Sequence, residues 1–484
     1  MKAITYIVIL IVLSANFASS STNNIRVPVI GDTSSRYMSI SQENRLGEII
    51  YSQILGSFNL ISDPLITGYV QMLGNRLLAS DYNSSIKYRF LVANHPSINA
   101  FATPGGVIVI NSGVILKTKS EAELAGVMAH EIAHVKARHL SRMHEESSRV
   151  DVTTALTVIA TVIAGMYDSS TLGKTLFSHK AIKAQKQITF IREHEKEADR
   201  LAISILVNAN INPNGMSEFF KTLSKESNDS NTLEFLRTHP LSKSRIIETQ
   251  NLAAQYKGNF ISDSFAYQFT SARLSIRNIN TRDFIENYEY DPKAFLDSPG
   301  RVIDDYAYSL ALTKEKKYDE SAGVLLTLLK FLETQDRLYI IKNYISIALS
   351  DSYMKKGDHD KAISILEGLN NIYPNDSAIL YYLSDALIQN KEYRKVINKL
   401  IPYVIEHKDH RLVIKVSEAA YKLKEKSLAH EYRGDYLKML GSLNSAIKYY
   451  KLALKYNMKG ETIDKRITSK IAEIEKLKEN KEIL

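Results

Sequence analysis

Residues 130 to 134 read His-Glu-Ile-Ala-His. On a helix, positions i and i+4 lie one above the other, so His130 and His134 can aim both imidazoles at one cation. Glu131 stands on the same turn, where its carboxylate can take a proton from a water attacking a carbonyl beside that cation. Together these residues describe metal-assisted hydrolysis, with one Zn²⁺ per chain as the ion. A solvated or capping histidine pair is the bland alternative. The apolar residues around the motif count against it, because unpaired imidazoles in a buried helix would be costly.

Catalytic zinc takes three protein ligands and keeps one position open. The segment Arg192-Glu193-His194-Glu195-Lys196-Glu197-Ala198-Asp199 offers carboxylates for the third. Glu195 and Asp199 are i and i+4 on one helical face. Glu195 could ligate while Asp199 accepts the ring N–H of a ligand histidine. Spacing alone leaves Glu193, Glu195 and Glu197 open, and an ordinary charged helix would read the same way. The remaining nearby histidines, His139, His144 and His194, read as surface residues.

Several elements must position these groups. Ser120 caps the motif helix, with Glu123 completing a capping box and Leu124, Val127, Met128 and Ile132 as its apolar positions. Upstream, Ser41 to Leu78 has helical periodicity. Between Lys87 and Leu116 the pattern changes to alternation at Tyr88, Phe90 and Val92, then a run from Val107 to Ile110. Pro104-Gly105-Gly106 is a strong turn signal before that run, so a small sheet ending in a hairpin is expected. Val152 to Met166 is an apolar stretch too short to span a bilayer. It reads as a buried helix, with peripheral membrane contact as the rival reading.

From Arg301 onward the texture is helical and repetitive. Gly357, Ala362 and Pro374, preceded by Tyr353, match the tetratricopeptide template of small residues where paired helices touch. Gly434, Gly441, Ala446, Tyr450 and Ala453 fit it better still. Tyr306 with Ala322, and Ser384 with Leu387, mark weaker copies. The distance from Gly357 to Gly441 is no multiple of the usual ~34 residues, so one unit is distorted or carries an extra helix. The register around Arg411 to Lys426 stays open.

The chain has 484 residues, 44% hydrophobic and 24% charged, which suits two or three folded domains. Lys2, the apolar run Ile4 to Leu13 and the small residues Ala18 to Ser20 read as a cleaved export signal. There is no cysteine, which excludes structural disulfides and thiolate metal sites. The net charge of +9 lies mostly beyond Arg301, where basic residues are interspersed with acidic ones. That is a solvated helical surface and gives no sign of nucleic-acid binding.

The ordered landmarks Asn99-Ala100-Phe101-Ala102, Pro104-Gly105-Gly106, His130-Glu131-Ile132-Ala133-His134, Glu195 to Asp199 and Leu236-Arg237-Thr238-His239-Pro240 resemble the HtpX-type zinc peptidase superfamily. The resemblance is closer to its BepA-like periplasmic branch, and it covers nearly the whole mature chain. It implies Glu195 as third ligand, Asp199 as partner of a ligand histidine, and His239 near the metal. There His239 would either fill the open position at rest or stabilise the oxyanion; a structural histidine is the alternative. The polar Leu241 to Ser244 segment looks able to move with it. The strand Asn99, Ala100, Phe101 and Ala102 could accept an extended substrate by edge pairing. The resemblance further implies unfolded or misassembled proteins as substrates, and the outer-membrane assembly machinery as a partner.

The expected fold is mainly α, in two parts. An α+β zincin-type peptidase domain with a small sheet precedes an all-α tetratricopeptide-like domain. The expected divisions are 1–20 signal peptide, 21–257 peptidase, 258–300 connection, 301–458 repeats and 459–484 C-terminal helix. The expected activity is that of a periplasmic zinc endopeptidase in outer-membrane protein quality control, with catalytic Glu131 and His239. A repeat scaffold or chaperone with a silent zinc site is the rival; it would be favoured by a missing base or ligand, and none is missing.

Overall fold

The computed structural model describes residues 38–80, 85–146, 181–225, 230–292, 300–333, 339–458 and 460–482. The expected signal segment and Val152 to Met166 lie outside them. Helix α1 (Ile40–Ser57) starts at Ser39, whose hydroxyl accepts from Gln42 N–H while the Gln42 side chain accepts from Ser39 N–H. Helix α2 (Pro64–Leu77) is a separate element, so the periodic stretch from Ser41 to Leu78 is not one helix. Its break has a local cause. Pro64 cannot continue an incoming helix, and it forces Asp63 into extended backbone, from which the Asp63 carboxylate accepts Leu65 N–H at 3.1 Å.

Three strands follow: β1 (Arg89–Ala93), β2 (Ala100–Ala102) and β3 (Val107–Asn111). Their order is β1-β3-β2, with β1 parallel and β2 antiparallel to β3. The expected hairpin is therefore β2–β3, and β3 is the buried central strand. Its turn needs glycine twice over. Gly105 sits at φ +78°, and a Cβ there would lie 2.4 Å from the Glu43 carbonyl and 2.6 Å from Gly47 Cα on α1.

A short helix α3 (Ser112–Lys117) leads to α4 (Glu121–Lys136), the motif helix. Ser120 caps α4 by accepting from Glu123 N–H. The expected capping box is only half formed, because the Glu123 carboxylate accepts from Lys119 N–H, one residue further out. Helix α4 is enclosed by the sheet and by α2, α6 (Ala181–Asn208) and α7 (Asn214–Lys225), and Leu124, Ala125, Met128, Ala129, Ile132 and Ala133 are fully buried. Between α4 and α6 lies α5 (His139–Glu146). Helices α8 (Ser230–Thr238) and α9 (Lys243–Ala253) complete the layer around the motif.

Helix α10 (Phe265–Asn278) belongs to two cores at once. Ala266, Tyr267 and Leu274 pack with the motif helix, whereas Phe269 packs with the helices that follow. After α11 (Thr281–Asn287) comes a helical repeat region of ten helices among the described residues. They are α12 (Arg301–Lys314), α13 (Tyr318–Leu332), α14 (Tyr339–Lys356), α15 (His359–Ile372), α16 (Ser377–Gln389), α17 (Tyr393–His407), α18 (His410–Lys422), α19 (Lys426–Met439), α20 (Leu443–Lys455) and α21 (Glu461–Glu482). The stretch from Arg411 to Lys426 is an ordinary helix and turn. Gly357 lies within a helix pair, but Gly441 lies between α19 and α20, so the interval takes in one helix more than whole pairs. Corresponding turns hold Lys316, Lys391 and Lys424 at positive φ, where the template expects glycine. That substitution is why the pattern fades there.

A buried network ties the repeats to the first part of the chain. Arg273 on α10 donates to Asp63 at 2.5 Å, to the Tyr306 hydroxyl at 3.2 Å and to the Tyr382 hydroxyl at 2.6 Å. Asp63 also caps α2, so one carboxylate joins three layers. Arg411 adds a bond to Thr67 at 2.7 Å. Removing the guanidinium strands a buried carboxylate, at a cost of about 3–5 kcal/mol. Arg273→Met should therefore lower the denaturant midpoint of unfolding substantially, whereas substitution of the exposed pair Arg394–Glu425 should leave it nearly unchanged.

Candidate metal centre

One ligand atom each from His130, His134, Glu195 and His239 lies within 4.8 Å of all the others. Helix α4 supplies the first two. Its i, i+4 spacing brings the Nε2 atoms to 3.0 Å from one another. Helix α6 supplies Glu195, whose oxygens lie 3.3 Å from His130 Nε2 and 3.4 Å from His134 Nε2. Glu195 is buried, while Glu193 is exposed and Glu197 faces another partner. The structure thus brings Glu195, alone of the three spacing candidates, into the cluster.

His239 follows the end of α8, with its N–H donating to Phe235 O at 2.8 Å. Its Nδ1 lies 3.3 Å from His130 Nε2 and 3.2 Å from Glu195. Its Nε2 lies 3.3 Å from Glu131 Oε1. The Leu241 to Ser244 segment differs from expectation. Ser242 caps α9, Lys243 and Ser244 lie in its first turn, and Arg245 Nη1 donates to Pro240 O at 2.7 Å. The loop behind His239 is therefore pinned.

Arg245 is the residue sequence reasoning missed. It grips Asp199 with two bonds of 2.7 Å and lies 3.0 Å from Glu195. Asp199 in turn lies 3.1 Å from His130 Nδ1. A proton on His130 Nδ1 facing this carboxylate leaves the Nε2 lone pair for the cluster. Nothing in the sequence around Ser244-Arg245-Ile246 marks this role beyond the serine that starts its helix.

The charges are unevenly distributed. Burial presses His130 toward neutrality, but the carboxylates of Asp199 and Glu195 outweigh it and raise its pKa to about 9. Burial lowers His134 to about 4 against the pull of Glu195. For Glu195, burial is overcome by the charge of His239 and by bonds from His130, His134 and His239, which hold its carboxyl well below the usual range. Glu131 moves the other way, raised chiefly by burial, and its Oε1 has His239 Nε2 at 3.3 Å as its near contact. Two imidazole nitrogens facing one another beside an ionised carboxylate fit a bound divalent cation. A buried carboxylate beside the cluster, with its pKa raised, fits a general base.

Around the cluster, β2 is an edge strand whose outer side has no strand partner among the described residues. The Ala102 amide is close enough to Glu131 to lower its pKa. Asn99 joins this strand to α8: its amide donates to Glu234 at 3.1 Å, and its carbonyl lies 3.5 Å from the Thr238 hydroxyl. His139 and His194 are not surface residues as expected. They are 2% and 6% exposed and stack at 4.1 Å between ring centres. Arg138 causes this, because its left-handed backbone (φ 54°) ends α4 and turns His139 back beneath His134. The His144 side chain lies outside the described residues. No described helix is long and apolar enough to cross a membrane.

Comparison with known proteins agrees with this geometry. Peptidase family M48 matches residues 64–253, which contain all four cluster residues. The beta-barrel assembly-enhancing protease of Yersinia pestis is 30% identical over 437 residues, covering 87% of this chain and 86% of that protein. Its counterpart in Escherichia coli K12 is 28% identical over 466 residues, 94% of this chain and 92% of the relative. The mitochondrial metalloendopeptidase OMA1 of Schizosaccharomyces pombe is 29% identical over 224 residues, 46% of this chain and 64% of that one. The chain belongs to the metallopeptidases of family M48, together with the beta-barrel assembly-enhancing proteases.

Proposed function

We propose that this protein is a zinc-dependent endopeptidase of the bacterial periplasm that acts on misassembled outer-membrane proteins. The observation that carries the chemistry is the convergence of His130, His134 and Glu195 in one cluster, with the buried Glu131 carboxylate beside it. The client class rests on the likeness to the beta-barrel assembly-enhancing proteases, and on a helical repeat region suited to holding protein segments. In this reading the repeats are tetratricopeptide-like, and they choose clients outside the active site.

His130, His134 and Glu195 would hold the ion, with Asp199 and Arg245 orienting His130 and Glu195. When bound, zinc supplies a Lewis acid for the scissile carbonyl and the attacking water. Glu131 receives the water's proton and returns it to the leaving amine. The free edge of β2 aligns an extended chain across Glu131, with Ala102 at the point of closest approach. Glu131→Gln should abolish casein cleavage while zinc content by metal analysis stays at one per chain. Normal turnover by this variant would remove Glu131 from the mechanism. Glu195→Gln should lower zinc content, and Glu193→Gln should not; the reverse pattern would mean that another carboxylate is the ligand.

His239 lies within the donor cluster, which favours its filling the fourth position at rest over an oxyanion role. A protease working among unfolded proteins gains from such a restraint. His239→Ala should then raise basal cleavage of a generic unfolded substrate. A fall in turnover of about 10²–10³-fold with zinc retained would instead assign His239 to oxyanion stabilisation.

A further inference from the structure

The two ligand histidines need the same service from the protein, and only one of them has an obvious provider. His130 Nδ1 faces Asp199 directly. Among the described residues no carboxylate stands at His134 Nδ1, which lies 2.9 Å from Nδ1 of His139. The opposite nitrogen of His139, Nε2, lies 3.2 Å from Glu197 Oε2, and Arg142 holds that same oxygen at 3.0 Å. We infer that His139 and Glu197 are positioning residues for the metal, acting on His134 through a two-step hydrogen-bond relay.

The donor and acceptor roles are mutually consistent in only one arrangement. His134 must present a lone pair from Nε2, so its proton resides on Nδ1 and donates to His139 Nδ1. His139 Nδ1 then carries the lone pair, its proton lies on Nε2, and that proton donates to the Glu197 carboxylate. An imidazole thus extends the reach of a carboxylate that would otherwise stand too far from the ligand. Three features hold the relay in shape. Arg138 takes the left-handed backbone that reverses the chain, and Glu43 anchors it through bonds of 3.0 and 2.9 Å while also accepting from the Ser141 hydroxyl. His194 stacks flat on His139, with 9° between the ring planes. Arg142 fixes the far carboxylate.

This inference rests on the proposed metal site, and the two can fail separately. Zinc affinity of the full-length protein would be measured by competition with a chromophoric chelator, for the native chain and for His139→Ala, His139→Asn and Glu197→Ala. His139→Ala should weaken affinity about 10–100-fold, the usual effect of losing a partner of a ligand histidine. His139→Asn places an amide oxygen near the Nδ1 position and should recover most of that loss. Glu197→Ala, at a half-exposed position that folding should tolerate, should weaken affinity more mildly. Unchanged affinity in His139→Ala would overturn the relay. Equal losses in His139→Ala and His139→Asn would also overturn it, leaving a packing role. No zinc in the native protein would sink the site itself, and this inference with it.

Discussion

Everything in the first part of this molecule depends on keeping a few lone pairs pointed at one buried place. Two imidazoles and a carboxylate stand within hydrogen-bond distance of each other in a largely buried place, so each sets the charge of the others. Burial and the neighbouring carboxylates push the pKa values of the two imidazoles apart, His130 up to about 9 and His134 down to about 4. A divalent cation would take one lone pair from each of the three. The surrounding fold therefore has to supply rigidity that the cluster does not supply for itself.

That rigidity comes from burying α4 on every side and from a set of outer charges. Arg245 neutralises Asp199 and Glu195 together, so two adjacent buried carboxylates carry an opposing cation within 3.0 Å. Such a triad is costly to break, because losing the guanidinium would leave two negative charges facing each other in a dry site. The same side chain binds Pro240 O and so sets where His239 can stand. One arginine thus balances the charge of Asp199 and Glu195 and holds the loop that carries His239.

How much of this was legible in the sequence follows from how local each feature is. His130, Glu131 and His134 are readable because helical period alone places them together. Glu195 was one of three candidates by spacing, since spacing gives a face but not which face is inward; burial of the helix decides it. His139 and His194 read as surface residues in the sequence, His194 because it stands about 100° around the helix from Glu195. The burial of His139 comes from a non-glycine left-handed turn at Arg138 and an anchor almost a hundred residues upstream at Glu43, and His194 stacks on it. The break at Phe58 to Asp63 could have been found, because Asp-Pro is a local signal of a helix start. The repeat register was obscured by lysine at positions where glycine is the expected mark.

The linkage between the two parts of the chain gives the repeats a physical route to the motif helix. Asp63 caps α2, whose buried face packs against α4 and β1, while its carboxylate is held by Arg273 and faces Tyr382 from the repeats. Leu65 on the same first turn is buried in the repeat core and not in the peptidase core. Helix α1 meets the array at another point, where Gly56 lies against the Leu440 carbonyl so closely that a Cβ would stand 2.7 Å from it. That same α1 supplies Glu43, the anchor of the Arg138 turn. Any bending of the array would therefore load α1 and α2 directly, and through α1 the Glu43 anchor of the turn that places His139 against His134. The repeat region and the His130 cluster are thus joined by packed elements.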